Sequence, residues 1–456
     1  MIPACESWGI CAKKLAMLYD RWLRISGSWP NEIALADLSS GRRWTFRELS
    51  AEVGRGQDSR RRIAFASGSA VDFILSVLRA WKADEVVCPL EPGQAEPVVP
   101  GSLPRGVAHL KTTSATTGLP RMVAFTAPQL MADAENIVVS MGLRRGWPNL
   151  GVISLAHSYG FSNLVLPLLL HGVPLWVVGA TLPEALRQAA AGSSQVFTLA
   201  AVPALWRAWS DAEAIPANIR LAISAGAPLP LSLERAVFDQ YGLKLHNFYG
   251  SSECGGIAYD SSRTPRADSA CVGAPLKNVE VSIGDDGCIR VSSPAVASGY
   301  LPQSSPRLGA GLFHSNDLGE LIQGEVWLRG RACDQINVAG RKVLPEIIEE
   351  ALAEHPQVSA VLAFGVPSPD TRRGESIVAC VAGQMGMTSE SLRQFALAKL
   401  AAWQVPRDWW LVRTLEANGR GKLSRSEWRQ KYLEMVEVKM SNGAAETTGY
   451  SEAEAL

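Results

Sequence analysis

The sequence carries no surplus of charge: 44 lysines and arginines stand against 44 aspartates and glutamates, a formal net charge of +0. No overall field draws the chain toward nucleic acid or an acidic membrane surface. Paired cysteine motifs are missing too. The eight cysteines (Cys5, Cys11, Cys88, Cys254, Cys271, Cys288, Cys333 and Cys380) are scattered, with no C-x-x-C and no histidine at zinc spacing. That argues against a metal cage or a disulfide framework and fits reduced thiols. The N-terminal stretch lacks the basic end, apolar run and small-residue cleavage site of a signal peptide, so the expected location is cytoplasmic. The most apolar stretch, Leu164 to Ala180, is broken by Pro167, His171, Gly172 and Pro174. It is shorter than the ~20 residues of a membrane span and reads as a buried helix followed by a strand.

What the sequence does have is apolar mass. Hydrophobic residues make up 47% of 456 residues and charged residues 19%, enough for two or three domains with substantial cores. Size favours an enzyme over a small binding module. "RIAFASGSAVDFILSVLRAWKADEVVCPL" reads as strand, helix, strand, with Val71, Ile74, Leu75, Leu78 and Trp81 at helical spacing. Similar alternation returns from "LGVISLAHSYG" to "VPLWVVG", and from "IRLAISAGAPLP" to "KLHNFYGSS". The expected fold is therefore α/β, with parallel-sheet units covered by helices. After about Gly273 the texture becomes β-rich, with Asp-Gly and Ser-Pro turns. From Val343 a helix, two strands and a helix predict a small α+β domain. The expected organisation is a large domain over 1–331, a small domain over 332–435 and a disordered tail over 436–456.

The stretch "TTSATTGLPR" (Thr112 to Arg121) is rich in hydroxyls and contains a flexible Gly118 and a cationic Arg121. Such a loop can surround phosphate oxygens, and by itself it reads equally as a solvated surface loop. It is not a Walker loop, because no G-K-[ST] closes it.

Taken with other segments in order, the loop resembles the phosphate-binding motif of the adenylate-forming superfamily, T-S-G-T-T-G-x-P-K-G. Thr113, Ser114, Thr116, Thr117 and Gly118 match; Ala115 and Met122 replace glycines, and Arg121 replaces lysine. "NFYGSSECG" is similar to the family's Y-G-x-T-E. The resemblance places Tyr249 on the adenine, Ser252 at the α-phosphate and Glu253 at Mg²⁺, with Asn247 and Gly250 among the ATP/AMP-binding residues. "SAGAPL" puts Ala225, Gly226 and Ala227 beside the adenine and the acyl carboxylate. In "GLFHSNDLGEL" the resemblance gives Asp317 the ribose hydroxyls, although Asn316 stands where glycine is usual. "GRACDQINVAGRKVLPEIIEEAL" matches G-R-x-x-D-x-I-K-x-x-G-x-x-V-x-P-x-E-I-E throughout, making Arg331 a second ribose or phosphate contact and Cys333 the hinge. "NGRGKLSR" is similar to N-x-x-G-K-x-x-R, with Lys422 as the catalytic lysine. The likeness covers roughly residues 30 to 430; its phosphate loop begins some fifty residues earlier than is usual in full-length members.

The family implies a large N-terminal domain and a small mobile C-terminal one. It also implies two half-reactions, adenylation of a carboxylic acid by ATP with Mg²⁺ and transfer of the acyl group to a thiol. The resemblance assigns Lys422, Glu253 and Arg121 to catalysis, Ala339 and Gly340 to the thiol tunnel, and His157, Phe161 and Ser162 to the acyl substrate. A packed core histidine is the other reading of His157. The wall "LAHSYGFSNLVLPLLLHG" contains no aspartate, which points to an aromatic or aliphatic acid rather than an amino acid, whose ammonium needs a carboxylate. The expected acceptor is coenzyme A. The phosphopantetheine of an acyl carrier protein and a nucleotide-binding protein that has lost ligase activity are the alternatives. Neither nucleic acid nor a transmembrane segment is expected.

Overall fold

The structure is a computed structural model of the chain, and it describes residues 16–55, 62–99, 102–112, 121–191, 193–368, 374–416 and 423–441. It divides into two compact units: Met1–Ser315 with Leu321–Trp327, and Asn316–Glu320 with Leu328–Leu456.

The first unit is built on a run of parallel strands. In spatial order these are Leu245–Ser251, Ile219–Ser224, Phe197–Ala201, Asn149–Gly151, Leu175–Val177 and Ile33–Asp37. Helices Pro203–Asp211 and Leu231–Tyr241 connect successive strands of this run. Both faces are covered, so the central strand Phe197–Ala201 is buried at every position and apolar at all but Thr198. Trp206 and Trp209 fill the space beside it, and their indole N–H groups donate to the carbonyls of Ile223 at 3.2 Å and Thr181 at 2.9 Å. The apolar stretch after His157 is a helical segment, Phe161–Val165 then Leu166–His171, followed by strand Leu175–Val177.

A second sheet in the same unit has the order Gly299–Leu301, Met122–Thr126, Val107–Thr112, Val86–Pro89, Ile63–Ala66. Here the expectation of parallel pairing fails for two ladders, because Met122–Thr126 runs antiparallel to both of its neighbours, Gly299–Leu301 and Val107–Thr112. Strands Val107–Thr112 and Met122–Thr126 run antiparallel, with Thr112 opposite Met122. The hydroxyl-rich loop between them therefore has both ends tied by one ladder. The β-rich section is antiparallel as its turns predict: Glu280–Ile283 pairs with Cys288–Ser292 around a turn in which Gly287 has φ +73°.

The second unit contains helix Pro345–Ala353, opened by a proline in its first turn, and a sheet ordered Val358–Pro367, Glu375–Gly383, Asp408–Val412. The expected tail needs correction, because helix Arg425–Ser441 runs past residue 436. Trp428, Tyr432 and Leu433 pack against Leu362, Phe364 and Trp410, which gives that helix a buried face. Residues 442–456 lie outside the described residues. Among the described residues no helix is long and apolar enough to cross a membrane.

Candidate active site

In a parallel sheet the loops that leave the C-terminal strand ends are where ligands bind. Strand Ile219–Ser224 ends into Ala225–Gly226–Ala227, and the amide of Ala225 donates to the carbonyl of Ala201 at 3.2 Å. Gly226 has φ +88°, and a Cβ there would stand 3.3 Å from Val202 Cγ1, so this bend needs glycine. In the neighbouring strand Asn247 lies level with Ser224 and is buried, and Tyr249 is half-buried. Gly250 takes the strand past Gly255, whose carbonyl oxygen would lie 2.6 Å from any Cβ. Beyond the strand, the Ser252 hydroxyl accepts from Ser158 Oγ at 3.0 Å. His157 opens the short helical turn that carries Ser158, its Nδ1 accepting from the amide of Tyr159 at 3.3 Å. Sequence-distant residues 157, 225–227 and 247–253 are thus gathered at one end of the sheet.

Glu253 follows at once and is held from several sides. Its amide donates to Ser251 Oγ at 3.2 Å, and its carbonyl accepts from the amide of Ala297 at 2.9 Å. Its carboxylate Oε1 accepts from the Tyr300 hydroxyl at 3.0 Å. The Arg121 guanidinium sits 5.7 Å above the ring of the same tyrosine, an attractive cation–π arrangement. The sequence reading did not single out Tyr300. The residue is placed by the pairing of Gly299–Leu301 with Met122–Thr126, the strand that leaves the hydroxyl-rich loop. Burial pushes the phenol up, and the adjoining carboxylate pushes it the same way, so the tyrosine remains a donor.

Phe161 and Ser162 face a packed interior. The Phe161 ring stacks on His109 at 4.3 Å between centroids, and Ser162 Oγ donates to Asp133 Oδ2 at 2.6 Å. Asp133 Oδ1 accepts from the amide of Gly256 at 3.1 Å, and Lys111 Nζ lies 3.5 Å from Ser162 Oγ. Gly255 lies against the same carboxylate: a Cβ there would be 1.9 Å from Asp133 Oδ1. The wall is therefore not free of buried charge as the sequence suggested, because Asp133 and Lys111 come from other elements. Burial lowers the Lys111 pKa, while Asp133, Cys254 and Glu253 oppose that shift.

Two family models match the chain, "AMP-binding enzyme" over residues 94–301 and "AMP-binding enzyme C-terminal domain" over residues 347–422. A probable 2-succinylbenzoate–CoA ligase of Mycobacterium tuberculosis is 31% identical over 337 residues, covering 70% of this chain and 83% of that protein. The chain belongs to the adenylate-forming, AMP-binding enzyme superfamily. A feruloyl-CoA synthase of Amycolatopsis sp is 27% identical over 358 residues, covering 73% of this chain and 72% of that one. ATP-bound MatB from Rhodopseudomonas palustris has the same fold, with a TM-score of 0.80 at 20% identity over 91% of this chain and 99% of that chain. This adenylate-forming enzyme is an AMP-forming acid–thiol ligase of the acyl-CoA synthetase type, a class that uses ATP and CoA with a small carboxylic acid.

In the second unit of this adenylate-forming enzyme, Asp317 and Arg331 come together, Arg331 Nε donating to Asp317 Oδ1 at 3.0 Å. Cys333 lies in the short turn Ala332–Asp334, and its exposed thiol donates to Asp334 Oδ1 at 3.5 Å. Partial desolvation and the Asp334 charge push that thiol up, away from the reactive thiolate. Ala339 and Gly340 form the turn of the hairpin Ile336–Val338 and Arg341–Val343 with φ +53° and +81°. Arg425 ties the turn Ala332–Asp334 to helix Pro345–Ala353 through Asp334, Glu346 and Glu349, a contact the sequence did not point to. Thr113, Ser114, Thr116, Thr117, Gly118 and Lys422 lie outside the described residues.

Proposed function

We propose that this enzyme adenylates an aromatic or aliphatic carboxylic acid and passes the acyl group to coenzyme A. The observation that carries the reading is the Glu253 carboxylate braced by Tyr300, whose ring also meets Arg121, at the strand end that bears Tyr249 and Ser252. In the first step an acid carboxylate oxygen attacks the α-phosphorus of ATP and pyrophosphate leaves. In the second the CoA thiolate attacks the acyl carbon and AMP leaves.

Tyr249 packs on the adenine, with Ala225, Gly226, Ala227 and Asn247 bounding its site, and Ser252 donates to the α-phosphate. Asp317 and Arg331 take the ribose hydroxyls. Arg121, together with Thr113, Ser114, Thr116, Thr117 and Gly118, receives the β- and γ-phosphates. Lys422 joins the acid carboxylate to the α-phosphate, and His157 orients that carboxylate. These residues position the reactants and offset charge, which is the main demand of phosphoryl-centred chemistry.

Glu253 is the proposed Mg²⁺ ligand. Among the described residues no three His, Cys, Asp or Glu form a metal cluster, and one carboxylate completed by phosphate oxygens and water suits Mg²⁺. When bound, the ion offsets charge on the triphosphate. The small unit is proposed to turn about Cys333 between the steps, with Ala339 and Gly340 lining the pantetheine path.

An apolar acid is favoured because the buried carboxylate that touches Ser162 of the wall is already engaged. Asp133 accepts from Ser162 and Gly256, leaving it poorly suited to an amino acid's ammonium. The test is thioester formation from a panel of aromatic, fatty and amino acids, offered CoA or a phosphopantetheinylated carrier protein. Aryl- or acyl-CoA is the expected product; acyl-carrier protein alone would move the reading to a carrier-loading enzyme. ATP binding without thioester formation from any acid would favour a protein that has lost ligase activity.

A further inference from the structure

We propose that Tyr300 is a positioning residue for the nucleotide site: it fixes the rotamer of the Glu253 carboxylate and couples that carboxylate to Arg121. The proposal rests on Glu253 being the metal-binding carboxylate.

The hydroxyl of Tyr300 donates to Glu253 Oε1 at 3.0 Å, so a cation approaching this carboxylate is directed to the other oxygen. A glutamate with three rotatable side-chain bonds samples many positions, and a fixed donor on one oxygen removes most of them. The ring of the same tyrosine lies 5.7 Å from the Arg121 guanidinium carbon. One side chain therefore touches the groups proposed for the metal side and the phosphate side of the triphosphate.

Its own position is set by backbone. Tyr300 pairs with Val123, two residues after Arg121, and the amide of Ser298 donates to the carbonyl of Ala124 at 2.8 Å. The same short segment reaches the Glu253 backbone through the amide of Ala297 at 2.9 Å. Residues 297–300 thus fasten the Glu253 loop to the strand leaving the phosphate loop by main chain, and Tyr300 repeats the connection by side chain. The main-chain bonds persist when the hydroxyl is removed, which separates a positioning role from a structural one.

The test is Tyr300→Phe in the full chain, read by calorimetric ATP binding across a Mg²⁺ titration, with thermal unfolding as the fold control. The Mg²⁺ concentration giving half-maximal ATP binding is expected to rise about tenfold, the size of one hydrogen bond to a charged group. ATP binding without Mg²⁺ is expected to stay unchanged. In a Glu253→Gln background the same substitution is expected to have no further effect. An unchanged Mg²⁺ requirement in Tyr300→Phe, with Glu253→Gln abolishing it, overturns the role of Tyr300 and leaves Glu253 standing. Unchanged Mg²⁺ dependence in Glu253→Gln itself overturns the metal-ligand reading. Equal effects of Tyr300→Phe in both backgrounds would mark a merely structural tyrosine. Tyr300→Met, which keeps apolar volume without a donor, serves if the phenylalanine variant does not fold.

Discussion

Arg425 grips Glu349 with two parallel bonds, Nε to Oε1 at 3.2 Å and Nη2 to Oε2 at 2.7 Å, while Nη1 reaches Asp334 Oδ2 at 2.9 Å. Glu346 Oε1 lies 2.8 Å from Nη2, so three carboxylates share one guanidinium. Burial pushes the Glu349 carboxyl up, and Arg425 works against that shift. Arg425 lies three residues after Lys422, and its partner Asp334 is in the turn that bears Cys333.

Arg425→Lys is expected to lower the stability of the second unit by about 1–3 kcal/mol, because a lysine cannot keep the bidentate bond and three carboxylates are left crowded. Adenylation is expected to fall more than thioester formation from supplied acyl-adenylate, since the anchor of the Lys422 segment is loosened. Urea unfolding followed by each half-reaction measures both. Equal loss in the two half-reactions would contradict the anchoring role.

His109 is fully buried, and among the described residues neither ring nitrogen has a hydrogen-bond partner. Burial holds its pKa well below the ordinary 6.5, with nearby Lys111 adding to the shift. The unfolded chain takes up a proton there below about pH 6.5 and the native state does not, so stability falls as pH drops through that value. His109→Leu is expected to flatten this fall, seen as urea midpoints that differ less between about pH 7.5 and about pH 5.5 than in the parent. An identical pH slope in the variant would show that other groups carry the effect.

Glu234 is buried and accepts from Lys244, and its other oxygen accepts from Arg266 Nε at 2.9 Å. Lys244 Nζ also donates to Asp260 Oδ2 at 2.6 Å. Burial raises the Asp260 carboxyl, but Lys244 and Ser262 outweigh it and hold the group below its ordinary value. Its contribution is therefore present above about pH 4 and lost as pH falls through the lower native pKa. Glu234→Gln leaves Lys244 and Arg266 under-compensated and is expected to cost about 3 kcal/mol in urea unfolding at neutral pH. Turnover per folded molecule is expected to be unchanged, because the network braces the strand that leads to Tyr249 and touches no proposed reactant.

Ala339 occupies a left-handed position, φ +53°, where L side chains are strained. Ala339→Gly is expected to stabilise the hairpin by about 0.5–1 kcal/mol after the extra entropy of glycine in the unfolded chain is subtracted. A lower urea midpoint would contradict this.

The parallel run of the first unit was legible because its strands are mostly apolar and buried and alternate with amphipathic helices. The grouping of Tyr249, Ser252 and Glu253 at one strand end was legible because they lie together in one short segment. The antiparallel ladder around the hydroxyl-rich loop was not, since strand direction follows from pairing and not from the composition of Val107–Thr112. Tyr300 and Arg425 were hidden for a related reason: their partners lie 47 and 76 residues away. The lone tyrosine of "ASGYL" and the closing arginine of "NGRGKLSR" were the available signals. Asp133 and Lys111 escaped because the wall they border was read from a single segment. Helix Arg425–Ser441 was cut short because its apolar contacts are spread among charged residues.

The role proposed for Glu253 is to let this chain activate a carboxylic acid on ATP. Acid-dependent exchange of labelled pyrophosphate into ATP tests it most directly, over aromatic and fatty acids, with Glu253→Gln alongside the parent. Exchange is expected with at least one such acid, with its loss by a factor of about 100 or more in the variant. No exchange with any acid, from a protein that binds ATP, would contradict it.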